Sequence, residues 1–327
     1  MRPPAFWAAG PDHPAARCLA PLGMAYGALV ARRMDRSGAR AGCPVVCLGN
    51  FTLGGAGKTP AALAVASLLA GLGRNPAFLS RGYGGRTAGP VRVDPDRHDA
   101  ATVGDEPLLL ARRAPTVVSR DRPAGAALCR ALGADVIVMD DGLQNPGLAK
   151  DLGLAVVDGG AGVGNGRPVP AGPLRAPLAR QWPHVAGVVL VGDGAAGAVI
   201  ARAAEERGLP VHTARLVRES DDLAERRCLA FAGIGRPEKF FATLMEAGAT
   251  VVGRRSFPDH HPFRPSDLAA LAAEARRLGA DLVTTEKDAV RLPPDFSVRV
   301  RVLRVRLVFD DVDALRRQVQ GALAGAP

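Results

Sequence analysis

The stretch Pro44-Val-Val-Cys-Leu-Gly-Asn-Phe-Thr-Leu-Gly-Gly-Ala-Gly-Lys-Thr59 decides how this chain folds. Its apolar start, residues 44–49, predicts a short buried strand, and residues 59–72 predict a helix that stops at Gly73. A glycine-rich turn joins the two. A strand, a glycine-rich turn and a helix in this order form the setting of a phosphate-binding P-loop.

The turn supplies the groups that a nucleotide needs. Its glycines allow backbone N–H groups to approach phosphate oxygens, and the helix start adds a favourable partial charge. Lys58 is expected to reach the β- and γ-phosphates of ATP, and Thr59 to hold Mg²⁺ through its hydroxyl. A strict P-loop begins with glycine, whereas this one begins with Thr52. The predicted nucleotide-binding residues are Thr52, Leu53, Gly54, Gly55, Ala56, Gly57, Lys58 and Thr59.

Strand-like apolar runs alternate with helical stretches along the rest of the chain. This pattern predicts an α/β fold with a parallel sheet covered on both faces. A Gly- and Pro-rich stretch at 159–177 is either a linker or a functional loop. We predict an N-terminal helical segment (1–40), a P-loop NTPase lobe with a parallel sheet (41–175) and a second, smaller α/β lobe (176–327), with a cleft between the lobes.

The apolar run Val136-Ile-Val-Met139 ends in two acids, Asp140 and Asp141. A buried strand that carries a carboxylate to the carboxyl edge of a parallel sheet is the Walker B arrangement, which places the acid next to Mg²⁺ or its waters. Gln144 lies in the loop that follows, at the same edge. The P-loop and this acidic strand together predict binding of Mg-ATP.

The segment Gly104-Asp105-Glu106-Pro107 places two adjacent acids at the start of a predicted helix. Acids at this position commonly cap a helix N-terminus. Alternatively, Asp105 is a base beside the γ-phosphate and Glu106 belongs to the metal shell, because a kinase that phosphorylates a hydroxyl needs such a carboxylate. The residues alone leave both interpretations open.

The segment Ser256-Phe-Pro-Asp-His-His-Pro-Phe263 carries two consecutive histidines in the predicted second lobe. Consecutive residues of a strand point to opposite faces, and no third ligand is nearby, which disfavours a metal site. A histidine beside Asp259 is able to reach across the cleft and assist a base. The other interpretation is a surface turn.

Several arginines follow predicted strands, at the edge where α/β enzymes bind ligands. Their guanidinium groups suit an anionic substrate, although each one alone also fits an ordinary solvated surface. The predicted substrate-binding residues are Arg81, Tyr83, Arg120 and Arg175.

The charge balance favours anionic partners. Among 327 residues, 42 Lys and Arg stand against 32 Asp and Glu, a net charge of +10, although a bias toward arginine explains the excess equally well. Aromatic residues make up 4%, which argues against stacking platforms for nucleic acid. The five cysteines form no CxxC pair and indicate a reducing compartment.

An apolar stretch, 19–31, lies near the N-terminus. It is too short to cross a bilayer as a straight helix, and Pro21 and Gly23 interrupt it. A basic flank follows, which is typical of a segment lying on an anionic membrane surface. A helix packed on the protein's own core is the other interpretation. The flanking arginines are Arg32, Arg33, Arg36 and Arg40.

Seven motifs, taken in order, resemble one known family. They are Gly49-Asn50 with Gly54-Gly-Ala-Gly-Lys-Thr-Pro60, Ser80-Arg-Gly-Tyr-Gly84, Gly104-Asp-Glu-Pro107, Asp140-Asp-Gly-Leu-Gln144, Pro170-Ala-Gly-Pro-Leu-Arg175, Phe257-Pro-Asp-His-His261 and Thr284-Thr-Glu-Lys-Asp288. The combination resembles the tetraacyldisaccharide 4'-kinases, the lipid A 4'-kinase family of Gram-negative bacteria, up to about residue 292. Leu143 and Asn145 depart from the family pattern, in which Phe and His are common.

The resemblance implies an enzyme on the cytoplasmic face of the bacterial inner membrane, with a membrane-associated N-terminal helix. It implies transfer of the γ-phosphate of ATP to the 4'-hydroxyl of a tetraacylated glucosamine disaccharide 1-phosphate. We expect a monomer that binds this lipid and contacts the anionic membrane peripherally, without a nucleic-acid partner.

The resemblance also implies roles for individual residues. The Phe-x-Asp-His pattern favours His260 over His261 as the partner of Asp105. The expected catalytic residues are Asp105, His260 and Lys58, and the expected metal-proximal residues are Thr59, Glu106, Asp140, Asp141 and Gln144.

Two other functions are consistent with a P-loop. A GTPase of the metallochaperone type needs Lys and Asp two positions apart for guanine, and Thr285-Glu-Lys-Asp288 has them adjacent. A membrane-attached switch ATPase needs no acceptor, so it places no demand on Asp105 or His260.

Overall fold

Two β-sheets flanked by helices build the molecule, a computed structural model that describes residues 4–219 and 222–325. The strands are β1 (Val45–Gly49), β2 (Pro76–Ser80), β3 (Val91–Arg92), β4 (Thr116–Val118), β5 (Val136–Asp140), β6 (Leu152–Asp158), β7 (Gly187–Val191), β8 (Val211–Arg218), β9 (Arg227–Ala232), β10 (Thr250–Ser256), β11 (Asp281–Thr285), β12 (Val300–Leu303) and β13 (Val305–Phe309).

Helices follow most of these strands. They are α1 (Pro14–Met34), α2 (Lys58–Gly71), α3 (Ala100–Val103), α4 (Asp105–Ala111), α5 (Arg122–Ala131), α6 (Leu178–Gln181), α7 (Ala195–Glu205), α8 (Pro237–Glu246), α9 (Pro265–Leu278), α10 (Glu286–Ala289), α11 (Pro294–Ser297) and α12 (Val312–Ala324). Two short 3₁₀ helices lie at Ala5–Trp7 and Trp182–His184.

The larger sheet has nine strands in the order β13-β8-β7-β6-β1-β5-β2-β4-β3. Its inner strands run parallel, and β1 lies between β6 and β5. The two edge strands, β3 and β13, run antiparallel to their neighbours. The predicted parallel sheet is therefore a mixed one, closed at each edge by an antiparallel strand.

The continuous apolar strands are buried on both faces, as the sequence predicted. Val46 and Leu48 of β1 pack toward α2 and α12, and Val45 and Cys47 pack toward α5. Burial on both sides explains why β1, β5 and β6 do not alternate between apolar and polar residues.

The second sheet has four parallel strands in the order β10-β9-β11-β12, with α8 and α9 packed on its two faces. The predicted lobe boundary at 175/176 does not coincide with the boundary between the sheets, because β7, β8 and β13 all belong to the larger one. The segment 298–309 is divided between the sheets, since Arg304 separates β12 in the small sheet from β13 in the large one.

The polypeptide therefore crosses between the sheets twice. It leaves the larger sheet after β8 and returns through Arg304, and the Glu219 N–H donates a hydrogen bond of 3.1 Å to the Arg304 carbonyl where the crossings meet. The second sheet is thus inserted into the sequence of the first.

Helix α1 uses one face to pack on the Gly- and Pro-rich loop. Its buried residues include Gly23 and Gly27, and a Cβ at Gly23 would lie 2.6 Å from the Pro168 carbonyl oxygen. Its other face leaves Leu22, Met24 and Leu29 more than half exposed. The interpretation of a helix packed on the protein's own core therefore holds for one face of α1. Among the described residues, no helix combines the length and the apolar character needed to cross a membrane.

The close approach at Gly23 predicts a position-specific effect. Gly23→Leu is expected to loosen α1 from the body, at a cost of about 1–3 kcal/mol typical of overpacking. Leucine favours helix over glycine by up to ~1 kcal/mol, so lost helix propensity cannot cause the loss. Ala25→Leu, on the exposed face, is the matched control. The rate of trypsin cleavage within residues 14–40 and the thermal unfolding midpoint measure this effect. Equal cleavage rates and equal midpoints for the two variants would contradict the packing of Gly23 against the loop.

Candidate active site

The P-loop lies between β1 and α2, at the carboxyl edge of the larger sheet. Gly57, the N-cap of α2, has φ +86°, a conformation that side-chain-bearing residues rarely adopt. No side chain caps this helix, so the first N–H groups of α2 are available to an anion. Lys58 Nζ lies 3.4 Å from the Gly54 carbonyl oxygen and 3.8 Å from Asp141 Oδ1.

Asp140 reaches the same place from the end of β5. The Thr59 hydroxyl, 81 residues away in sequence, lies 3.5 Å from Asp140 Oδ2. Burial, with the charges of Glu106 and Asp141, raises the pKa of Asp140 to about 7. Its Oδ1 is buried and has no hydrogen-bond partner among the described residues. A cation at this position would satisfy that oxygen and favour the ionised carboxylate.

No group of three His, Cys, Asp or Glu side chains within 4–219 and 222–325 is arranged to hold a metal by itself. Mg²⁺ commonly takes one or two protein ligands and completes its shell with phosphate oxygens and water. Thr59 and Asp140 fit such a site.

Asp141 is paired with cations instead. Its carboxylate accepts a 2.8 Å bond from Arg175 and also faces Lys58. Burial raises the pKa of Asp141, but Lys58 and Arg175 more than offset this, so the pKa is lowered. Arg175 also donates to the Thr52 carbonyl at 3.1 Å, which ties the acidic strand to the P-loop.

Gln144 has protein partners at both amide atoms. Its Nε2 donates to the Asn50 carbonyl at 2.7 Å and to Gln181 Oε1 at 2.9 Å, and its Oε1 accepts from Arg175 at 3.4 Å. The amide nitrogen is fully used, whereas Oε1 accepts a single long bond and lies at the cleft. In this arrangement Gln144 organises the loop.

Asp105 and His260 come together although 155 residues separate them. His260 Nδ1 lies 2.9 Å from Asp105 Oδ2; His260 lines the cleft between the sheets, whereas the Asp105 side chain is only 2% exposed. The N-cap of α4 is Gly104, so Asp105 does not cap this helix. His260 has φ +58°, an uncommon conformation for a non-glycine residue, of the kind that concentrates at functional sites.

Asp105 is held as a carboxylate. Burial raises its pKa, but the hydrogen bond with His260 and the charges of Lys287 and Arg291 oppose burial, and the pKa is lowered. Arg291 Nε lies 3.6 Å from Asp105 Oδ2. An ionised carboxylate is the form that accepts a proton.

His261 takes a different direction. Its Nε2 lies 2.9 Å from Asp267 Oδ2, and its ring stacks on Phe257 with centroids 4.8 Å apart. Of the two neighbouring histidines, the structure brings His260 to Asp105.

The arginines predicted to bind substrate lie around one cleft. Arg81, Tyr83, Arg120 and Arg175 line a cavity of ≈ 2450 Å³ together with the P-loop, Asp105's neighbour Glu106 and His260. The Tyr83 ring meets the His260 ring edge to face, with centroids 5.3 Å apart.

Sequence reasoning missed several residues of the cleft. Lys287 lies 3.4 Å from Glu106 Oε1 and 3.5 Å from Asp259 Oδ1, and Arg291 forms a buried ion pair with Asp288. The segment 284–288 was identified as a family motif only. A signal was present, because polar residues directly after a parallel strand lie at the ligand-binding edge of a sheet.

Two further basic groups join the sheets. Asp158, at the end of β6, is buried and pairs with Arg236 at 2.9 Å and with Lys239 from the start of α8.

Arg122 is a further basic residue of the cleft. It is 2% exposed, and its Nε has no hydrogen-bond partner within the described part of the chain. No motif distinguishes these residues from other charged ones in the sequence.

Comparison with known proteins points to one family. The family model of LpxK, tetraacyldisaccharide-1-P 4'-kinase, matches residues 15–324. The tetraacyldisaccharide 4'-kinase of Methylobacterium radiotolerans is 80% identical over 327 residues, 100% of both chains. The corresponding kinase of Methylorubrum populi is 67% identical over 327 residues, again 100% of both chains.

A more distant relative and a solved structure agree. The tetraacyldisaccharide 4'-kinase of Nitrobacter winogradskyi is 53% identical over 332 residues, covering 99% of this chain and 98% of its own. A crystal structure of LpxK from Aquifex aeolicus in complex with ATP superposes with a TM-score of 0.71 at 25% identity, covering 94% of this chain and 99% of that one.

The raised pKa of Asp140 gives a testable dependence of stability on pH. The pKa of an aspartate in the unfolded chain is about 3.9, so the folded chain binds this proton more tightly. Losing the proton therefore costs the folded state free energy, and the stability of the wild type falls progressively from about pH 4 to about pH 7. Asp140→Asn removes this loss. As the pH rises through that window, the free energy of unfolding of the variant is therefore expected to increase relative to that of the wild type, by about 1.4 kcal/mol per pH unit.

Urea unfolding of the nucleotide-free protein, without added metal, measures this difference. Asp96→Asn, which removes an exposed carboxylate, is the control. A difference between Asp140→Asn and wild type that stays constant across the window contradicts the buried-charge argument.

Proposed function

The chain belongs to the tetraacyldisaccharide-1-P 4'-kinase family, and we propose that it carries out the family's reaction with Asp105 as the base and His260 as its partner. It is an ATP-dependent kinase of lipid A biosynthesis, so the GTPase and switch-ATPase alternatives fall away. The contact of 2.9 Å between His260 and Asp105, across the cleft beside the P-loop, is the observation that carries the choice of base.

The proposed step transfers one phosphoryl group and one proton. The 4'-oxygen of the disaccharide attacks the γ-phosphorus of ATP, and Asp105 takes the hydroxyl proton. The bond from the γ-phosphorus to the oxygen bridging to the β-phosphate breaks, and its electron pair leaves with ADP. Asp105 then releases the proton to water.

Asp105 suits this role because it is ionised and held in place. Its lowered pKa makes it a carboxylate at neutral pH, and the Glu106 N–H donates to its Oδ1 at 3.0 Å. His260 on the other side fixes the carboxylate's rotation. Positioning of this kind supplies much of the rate enhancement in phosphoryl transfer.

Lys58 and the loop 52–59 are proposed to bind the nucleotide phosphates, with Thr59 and Asp140 as the residues that would hold Mg²⁺. The unpartnered Asp140 oxygen supports this assignment. When bound, the ion neutralises negative charge on the phosphates. We propose that Glu106, Asp141 and Gln144 lie close to the ion, each oriented by a protein partner. Asp141 Oδ1, like Asp140 Oδ1, has no hydrogen-bond partner among the described residues.

The acceptor is proposed to enter the same cleft. Arg81, Tyr83 and Arg120 line it and suit a phosphorylated sugar, since guanidinium groups bind phosphate in a fork geometry. Arg175 is occupied by Asp141 and Thr52, so we assign it to P-loop organisation as well.

The exposed face of α1 is proposed to rest on the cytoplasmic face of the inner membrane. Leu22, Met24 and Leu29 are 60%, 67% and 69% exposed, and the arginines at the end of the helix suit anionic headgroups. A substrate with four acyl chains requires such a location. We propose a peripheral monomer whose parts are the helical segment 1–40, the P-loop lobe from 41 and the smaller C-terminal lobe, which the sheets suggest is 227–303 rather than 176–327.

Removing the base tests the central assignment. Asp105→Ala and His260→Ala are expected to bind ATP normally and to lose lipid phosphorylation, for Asp105→Ala by roughly 10²–10⁴-fold, the range for general acid–base catalysis. Lys58→Ala is expected to lose transfer because γ-phosphate stabilisation is weakened. Transfer of label from γ-labelled ATP to the disaccharide lipid measures this.

His261→Ala is the matched control for His260→Ala, because it removes the adjacent imidazole that faces Asp267. It is expected to retain transfer. Phosphoryl transfer at the wild-type rate by both Asp105→Ala and His260→Ala contradicts the assignment of Asp105 as the base.

The membrane assignment has its own test. Met24→Ser with Leu29→Ser is expected to reduce sedimentation with vesicles that contain phosphatidylglycerol and to raise KM for the lipid, while KM for ATP stays unchanged. Val199→Ser, which removes a 66% exposed residue of α7, is the control. Undiminished vesicle binding by the double variant argues against α1 as the docking face.

A further inference from the structure

Lys287 lies in the turn where β11 gives way to α10, and its ammonium is surrounded by functional groups. Nζ lies 3.3 Å from His260 Nε2, 3.4 Å from Glu106 Oε1 and 3.5 Å from Asp259 Oδ1. Its side chain is 22% exposed. Lys287 therefore touches both the imidazole partner of the base and an acid next to the base.

Donor and acceptor rules fix what these contacts mean. A lysine ammonium has three N–H donors and no acceptor, so an imidazole nitrogen facing it must accept. Three carboxylates lie around Lys287, which keeps the ammonium charged: burial lowers its pKa, but Glu106, Asp105 and Asp259 outweigh burial and raise it. A charged ammonium at this position favours a His260 Nε2 that accepts.

The other imidazole nitrogen has the opposite role. Nδ1 lies 2.9 Å from Asp105 Oδ2, and an ionised carboxylate only accepts, so Nδ1 carries the proton and donates. Together the two contacts select one tautomer of neutral imidazole, with hydrogen on Nδ1 and a lone pair on Nε2.

Asp259 favours the other tautomer of His260, with hydrogen on Nε2. His260 Nε2 is 3.7 Å from Asp259 Oδ2, a carboxylate that would attract a proton to Nε2. In that tautomer Nδ1 has no hydrogen, and its lone pair faces the Asp105 carboxylate. Lys287 pairs with Asp259 and donates to Nε2, so it opposes this arrangement at both ends.

We propose that Lys287 is a positioning residue for the kinase reaction: it holds His260 in the Nδ1–H tautomer, which lets the imidazole donate to Asp105 and orient that carboxylate toward the acceptor hydroxyl. The proposal rests on the proposed function of Asp105 as base. The Tyr83 ring also packs against the imidazole, and Arg291 pairs with Asp105.

Nitrogen NMR of the full-length enzyme labelled with ¹⁵N-histidine tests the tautomer directly. The chain has six histidines, and His260→Gln identifies the signals of His260 by their loss. The wild type is expected to show a protonated Nδ1 and an unprotonated Nε2 at His260. Lys287→Met is expected to shift His260 toward the Nε2–H form while the other five imidazoles keep their signals, which reports an intact fold.

Two matched variants sharpen the spectrum. Lys287→Arg keeps a permanent donor and is expected to retain much of the Nδ1–H form. Lys239→Met removes another lysine of the cleft, one bonded to Asp158, and is expected to leave the His260 signals unchanged.

Kinetics provide the second readout. Lys287→Met is expected to lower kcat for lipid phosphorylation by about tenfold to a hundredfold, as losses of orienting partners do at functional histidines, with KM for ATP unchanged. Lys287→Arg is expected to recover part of kcat.

The outcomes separate this inference from the proposed function. An Nε2–H form of His260 in the wild type, or an unchanged Nδ1–H form in Lys287→Met, overturns the positioning role. A tautomer shift in Lys287→Met, combined with wild-type transfer by Asp105→Ala, supports the role of Lys287 on His260 and refutes Asp105 as the base.

Discussion

One hydrogen bond, between His260 and Asp105, joins chemistry carried by two separate sheets. The larger sheet presents the P-loop, Asp140 and Asp105, and the smaller one presents His260, Lys287 and Arg291. Most of these groups lie at the end of a strand, just beyond one or at the start of a helix, where parallel strands deliver side chains to a common edge. The site exists only when the two edges face each other, so the relative placement of the sheets is the constraint on which the chemistry depends.

The larger sheet was predictable to the extent that local pattern determined it. β1, β5 and β6 are continuous apolar runs, and the P-loop and the acid-ended strand have characteristic spacing, so Lys58, Thr59 and Asp140 were identified from residues alone. Local pattern did not predict β8, β10 or the division of 298–309 at Arg304. These strands are partly exposed and mix polar with apolar residues, so they show no distinct periodicity. The insertion of one sheet into the other is a property of topology, which local pattern does not encode.

The site was predictable in its chemistry and less so in its contacts. The motifs identified Asp105 and His260, yet Lys287 belonged to a motif whose role was not evident, and Arg291, Arg236 and Lys239 resembled any other basic residues. Their partners lie far away in sequence, as with Asp158 and Lys239, 81 positions apart. Gln144 and Asp141, expected near a metal, also have protein partners that the sequence did not indicate. A sequence states which groups are present, whereas pairing among several acids and bases is decided by three-dimensional packing.

The return of the chain through Arg304 has a consequence for synthesis on the ribosome. β13 and α12 complete the hydrophobic layer against α2, yet they are the last elements to be made. The inserted sheet, 227–303, is finished earlier and forms two core clusters of its own, so it is able to collapse while the P-loop half still lacks an edge. The nucleotide-binding core is therefore complete only after residues 305–324 have been made, and a chain that stops short of residue 305 leaves β8 as an open edge for unwanted strand pairing.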